Sequence, residues 1–132
     1  MTTATDTRES LSAALKTSTA EAHDKAEHSV FMDDLLAGKL SVADFIALQE
    51  QSWLFYSALE DAARAVADHP LASGIVDPAL ERVNALEHDL DHLHGSTEWR
   101  TTVTPLPATA EYIARLNDIE ATKDVARLLA HH

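Results

Sequence analysis

His23 is the residue whose type and neighbours point most directly to chemistry. If the stretch "KTSTAEAHDKAEHSVFM", Lys16 to Met32, is helical, residues three, four and seven apart share a face, which surrounds His23 with Lys16, Thr19, Ala26 and Glu27. An imidazole ligates a metal through one ring nitrogen, and a carboxylate one turn further on can accept a hydrogen bond from the other. Lys16 falls two turns earlier, about 10.5 Å along the axis at ~1.5 Å per residue, where it can anchor an anionic group. Ala22 and Ala26 are small enough to let a flat ligand approach the backbone. The alternative is a half-buried helix histidine beside a solvated lysine, and spacing alone leaves that alternative ahead.

The second cluster is "EHDLDHLHG". His88 and His92 are an i,i+4 pair able to grip Zn²⁺ or a similar ion, with Asp89, Asp91 and His94 close by. Leu86, Leu90 and Leu93 own the buried face of the same pattern, so these histidines are expected to face water. No glycine-rich phosphate loop, nucleophile elbow, H-E-x-x-H or EF-hand pattern occurs.

Composition narrows what such groups can serve. The chain has no cysteine, which excludes disulfides, a thiolate nucleophile, Cys-ligated zinc and iron–sulfur clusters. Ten Lys+Arg against 22 Asp+Glu give a formal charge of −12, a surface that repels phosphate backbones and argues against nucleic acid as a partner. No apolar run approaches the ~18 residues of a membrane helix, and "MTTATDTRES" lacks the regions of a signal peptide, so a cytoplasmic protein with no membrane insertion is expected. A chain of 132 residues has room for one domain and one modest core.

The elements that position these residues read as all-α. With three Gly, four Pro and few β-branched runs there is little turn chemistry for sheets, while 3.6-residue apolar periodicity recurs. Leu11, Leu15, Ser18, Ala22 and Ala26 form the stripe of a first helix that Thr7 or Ser10 can cap, with residues 1–9 expected to be disordered. Phe31, Met32, Leu35 and Leu36 mark a short second helix ended by Gly38 as a left-handed cap. Ser41 and Asp44 open the longest pattern, which runs through Trp53, Tyr56, Leu59 and Val66 to a stop before Pro70. Asp77-Pro78 then starts a helix carrying Leu80, Val83, Leu86, Leu90 and Leu93 inward and ending at Gly95. "TTVTPLP" is expected to be a loop leading to a helix around Tyr112, Ile113 and Leu116. "KDVARLLAHH" starts a last helix at Asp124, with Val125, Leu128 and Leu129 on one face and no stop signal, so the chain is expected to end inside it.

Within this frame the stretch "LKTSTAEAHDKAEHSVFM" resembles the proximal helix of heme oxygenases, the bacterial members in particular. "LQEQSWLFYSALE" resembles the family's aromatic helix, "GSTEWR" and "YIARLNDIE" fit the segments that follow, and "LLAHH" fits the approach to the distal helix, so the match runs from Ser10 to His132. The resemblance implies an all-α, heme-oxygenase-like multi-helix bundle. It makes His23 the axial ligand of the heme iron and Glu27 its hydrogen-bonding partner. Lys16 matches the basic residue near a heme propionate, Ala26 and Met32 match positions lining the proximal face of the macrocycle, and Tyr56 matches a tyrosine of the distal water network. The distance from Lys16 to His23 is comparable to the reach from a porphyrin's iron to its propionates.

The implied activity is O₂-dependent cleavage of heme, at once cofactor and substrate, to biliverdin, carbon monoxide and ferrous iron, with electrons from an external reductase. The sequence departs from the family at its end. The distal-helix motif Gly-Asp-Leu-Ser-Gly-Gly-Gln is absent, and the three glycines, at positions 38, 74 and 95, do not supply it. The chain therefore resembles the N-terminal portion of a heme oxygenase. A bundle incomplete at its C-terminus and exposing Trp53, Phe55 and core leucines is expected to associate with itself or a partner, for instance by domain swapping. The alternatives are a heme-holding fragment that cannot open the ring, and a structural helical module with or without a metal on His88 and His92.

Overall fold

Helix-forming residues interrupted at few, well-marked points give the chain its architecture. The computed structural model describes residues 9–132, which form seven α-helices and a single 3₁₀ turn, with no strand among the described residues. The all-α expectation is met. These residues fall into two compact units, the first ending at Ser41 and the second running Val42–His132.

The first unit is a helical hairpin. α1 (Leu11–Glu27) begins on Ser10, whose hydroxyl accepts the Ala13 N–H at 3.2 Å. The competing cap Thr7 and the disorder expected over residues 1–9 concern residues 1–8, outside the described residues, and Glu9 just inside them. α2 (Val30–Leu36) begins on Ser29, which accepts the Met32 N–H at 3.3 Å. It ends as expected at Gly38, φ +66°, with Gly38 N–H donating to Leu35 and Lys39 N–H to Asp34, the paired bonds of a left-handed helix stop. Neither helix contains a buried residue. Within the hairpin the apolar stripe of α1 is not covered, and Leu11 and Leu15 stand 76% and 56% exposed.

The second unit holds the core. α3 (Val42–Ala65) buries Ala58, Leu59, Ala62 and Ala63. The small alanines let α6 (Pro107–Thr122) and α7 (Val125–His131) lie close against it, and Leu116, Ile119 and Leu128 are removed from water completely. Each such side chain contributes about 1.5–3 kcal/mol of transfer free energy. α7 starts where expected, with the Asp124 carboxylate accepting the Arg127 N–H at 3.1 Å.

Two expectations change. The helix expected from Asp77-Pro78 to Gly95 is broken: Asp77 caps only a 3₁₀ turn, Pro78–Leu80, and α4 (Val83–His94) starts afresh after an extended Glu81. The reason lies on α3, where Glu60 Oε1 accepts the backbone N–H groups of both Arg82 and Val83, the latter at 3.2 Å, and so caps α4 from 22 residues away. Leu80 is consequently 52% exposed instead of inward, while Leu86 and Leu90 are buried and Gly95, φ +70°, ends the helix as expected. The second change is a short helix, α5 (Trp99–Thr102), which extends into the stretch expected to be a loop and buries Trp99. The rest of that loop is tied to α3 by Gln51, whose side-chain amide donates to Thr104 O and accepts the Leu106 N–H.

Among the described residues no helix is long and apolar enough to cross a membrane.

Candidate functional site

On α1 the i,i+4 spacing brings His23 and Glu27 together. His23 Nδ1 lies 3.4 Å from Glu27 Oε2, and the two side chains are 75% and 57% exposed. His23 is therefore not the half-buried histidine of the plain alternative. With the carboxylate on the Nδ1 side, Nε2 is the ring nitrogen that points away from Glu27. The next histidine along the helix is arranged the other way: His28 directs Nε2 toward Asp24 Oδ1, 3.7 Å away. His23 is distinguished from it by geometry as well as by sequence.

Around His23 the surface is small and open. Ala22, Ala26 and Lys16 are all exposed, and Thr19 turns its hydroxyl back onto Leu15 O at 2.8 Å. Met32, on α2 and partly buried, belongs to the same unit. Five of the six residues implied by the resemblance thus lie in the first unit: Lys16, His23, Ala26, Glu27 and Met32.

The sixth, Tyr56, lies on α3 in the second unit, packed beside Phe55 with ring centroids 4.9 Å apart. Phe55 also meets Tyr112 of α6 at 5.8 Å, and Tyr112 meets His131 of α7 at 5.4 Å. Burial, reinforced by the nearby Tyr56 phenol and opposed by Arg115, raises the Tyr112 pKa above the ordinary tyrosine value. In the sequence Tyr112 marks only a helix, and nothing local ties it to His131. Trp53 and Phe55, expected to be bare, are both partly buried: Trp53 meets Trp99 edge-on at 4.9 Å and donates its indole N–H to Glu87.

The histidines of α4 do not assemble a metal centre. His88 and His92 are exposed, and among the described residues no three His, Cys, Asp or Glu side chains converge. The helpers they would need are engaged elsewhere. His94 Nε2 lies 2.9 Å from Glu50 Oε1 with its ring stacked on Trp99, and Asp91 accepts from Trp99 Nε1 at 2.8 Å and from Arg100 at 2.9 Å. Trp99 is the buried residue that organises this end of the unit, and in the sequence it stands out only as part of the segment "GSTEWR".

Comparison with known proteins places the chain in a family. The family model described as "Heme oxygenase" matches residues 9–132. Heme oxygenase 1 of Gallus gallus is 34% identical over 122 residues, covering 92% of this chain and 40% of its own length. Heme oxygenase 1 of Nostoc sp. is 32% identical over 117 residues, covering 89% and 48%. In structure, the chain is similar to heme oxygenase-1 from the cyanobacterium Synechocystis, solved in complex with heme, with a TM-score of 0.79, 32% identity, and coverage of 89% of this chain and 52% of that one. The chain spans about half the length of these relatives or less. With matches of this extent to family, sequence and structure, the chain belongs to the heme oxygenase family.

Proposed function

We propose that this chain binds heme through His23 Nε2 and serves the biliverdin-producing cleavage of heme. The observation that carries the reading is the His23–Glu27 pair, an exposed imidazole with Nδ1 already facing a carboxylate. The residues fit the group. Nε2 is a ligand for iron, the exposed Ala26 and Ala22 leave room for a flat ring, and Lys16, about 10.5 Å along the helix at ~1.5 Å per residue, offers an ammonium to a propionate. Met32 supplies polarizable apolar contact to the same side. Tyr56, on the second unit, is assigned to hydrogen bonding in the water network that the resemblance implies.

Heme, when bound, supplies both the iron at which O₂ is reduced, with electrons from an external reductase, and the ring that is opened to biliverdin, carbon monoxide and ferrous iron. The chain's own residues bind and orient: Glu27 orients the His23 ring, and Lys16 sets the rotation of the macrocycle by holding one propionate. Incubating the heme-loaded chain with ascorbate and O₂ tests the reading. Biliverdin absorption that appears with the chain and is lost in His23→Ala supports ring cleavage. Stable heme binding without biliverdin would reduce the chain to a heme holder, and equal turnover by His23→Ala would refute the assignment of His23.

The exposed apolar side chains Leu11, Val30, Leu36 and Val42 also favour self-association. Sedimentation at micromolar concentration is expected to show species larger than the monomer, and a monomer throughout would count against it.

A further inference from the structure

The solvent face of α4 carries two donors that heme binding through His23 leaves unused. His88 and His92 are one turn apart, a spacing that sets Cβ atoms about 5–6 Å from each other, and both are exposed. Leu86 and Leu90 are buried on the opposite side of the same helix, so neither imidazole is needed for packing. The two rings also differ from the other histidines of the helices and turns. His23 and His28 face Glu27 and Asp24, His69 Nδ1 accepts the Leu71 N–H at 3.1 Å, and His94 faces Glu50 at 2.9 Å. Among the described residues, neither His88 nor His92 has a hydrogen-bond or ion-pair partner, which leaves their ring nitrogens available.

Two neutral imidazoles four residues apart on one helix face can close on a single metal ion. Imidazole suits zinc, copper and nickel, whereas magnesium and calcium demand oxygen donors. A closed zinc site takes four donors, and one chain brings two, with no third histidine or carboxylate converging on them among the described residues. The same pair on a second copy supplies what is missing. A twofold axis through the ion makes the four nitrogens equivalent in pairs, the self-complementary contact of a symmetric dimer. Without the ion, two chains that each carry a formal charge of −12 repel, so contact through this face depends on the metal.

We propose that His88 and His92 bind a divalent transition-metal ion of the zinc class together with the same two residues of a second copy, and that the ion thereby gates dimerisation. The site uses none of the residues assigned to heme and stands whether or not His23 ligates iron.

Sedimentation velocity of the full chain without added tag, in EDTA and with added Zn²⁺, tests it alongside calorimetric titration with Zn²⁺. Association that rises with Zn²⁺ and reverses with EDTA is expected, at one ion for two chains. His88→Ala and His92→Ala should each abolish it while leaving helix content by circular dichroism unchanged, since both positions are exposed, and His23→Ala should retain it. Self-association through the exposed apolar side chains needs no ion and would appear equally in EDTA, which separates the two. Association unaffected by Zn²⁺, a zinc-dependent dimer that survives both α4 variants, or zinc held at one ion per chain without dimerisation would overturn the proposal.

Discussion

Glu27 faces His23 Nδ1 from one turn away, so its removal tests how far a single carboxylate tunes the proposed ligand. Partners of this kind typically tune metal affinity by about 10–100-fold. Glu27→Ala is expected to raise the heme dissociation constant by roughly tenfold, read by absorbance titration, with Glu27→Gln intermediate. Tyr112 gives a second residue-level test. Its pKa is raised in the fold, so its neutral form contributes stability that is complete below the ordinary tyrosine pKa and is lost as pH rises through the higher folded value. Ultraviolet titration should therefore show one phenol ionising later than a free tyrosine, and Tyr112→Phe should remove both that phase and its share of the alkaline loss of stability. The His23–Glu27 pair was legible in the sequence because an i,i+4 relation is local. The meeting of Tyr112 with His131 was not, because it depends on how α6 packs on α7.

Helix ends follow the same division. Ser10, Gly38, Gly95 and Asp124 act where their types suggest, since each cap is completed within a few residues of chain. The break before α4 escaped the sequence because its cap is the side chain of Glu60, supplied by a different helix. Trp99 escaped for a similar reason: its indole is held by Asp91 and its ring by Trp53, and neither partner marks α5 in the residues beside it. Gly95 allows a clean test of the local rule. It sits at φ +70° with open space around the position of a Cβ, so Gly95→Ala pays only the left-handed penalty. A loss of about 1 kcal/mol is expected in urea unfolding, and a loss several times larger would mean that the turn is packed more tightly than its surroundings indicate.

At the scale of the molecule, the described residues divide the work between a hairpin that buries none of its helical residues and a second unit that holds the core. Core substitutions should therefore act on stability first. Leu128 is fully buried, and Leu128→Ala is expected to lower unfolding free energy by about 2–5 kcal/mol, measured by denaturant titration of the second unit's tryptophans. The all-α fold and the heme oxygenase family were both legible in the sequence, from periodicity and from the segment around His23 respectively. The two-unit division was not, because an amphipathic stripe such as Leu11-Leu15 looks the same whether or not it is covered. The central claim is that His23 ligates heme iron. Absorption and electron paramagnetic resonance spectra of the ferric heme complex test it most directly: the native chain should show imidazole ligation, His23→Ala should lose it, and added imidazole should restore it. An unchanged spectrum in His23→Ala would contradict the account.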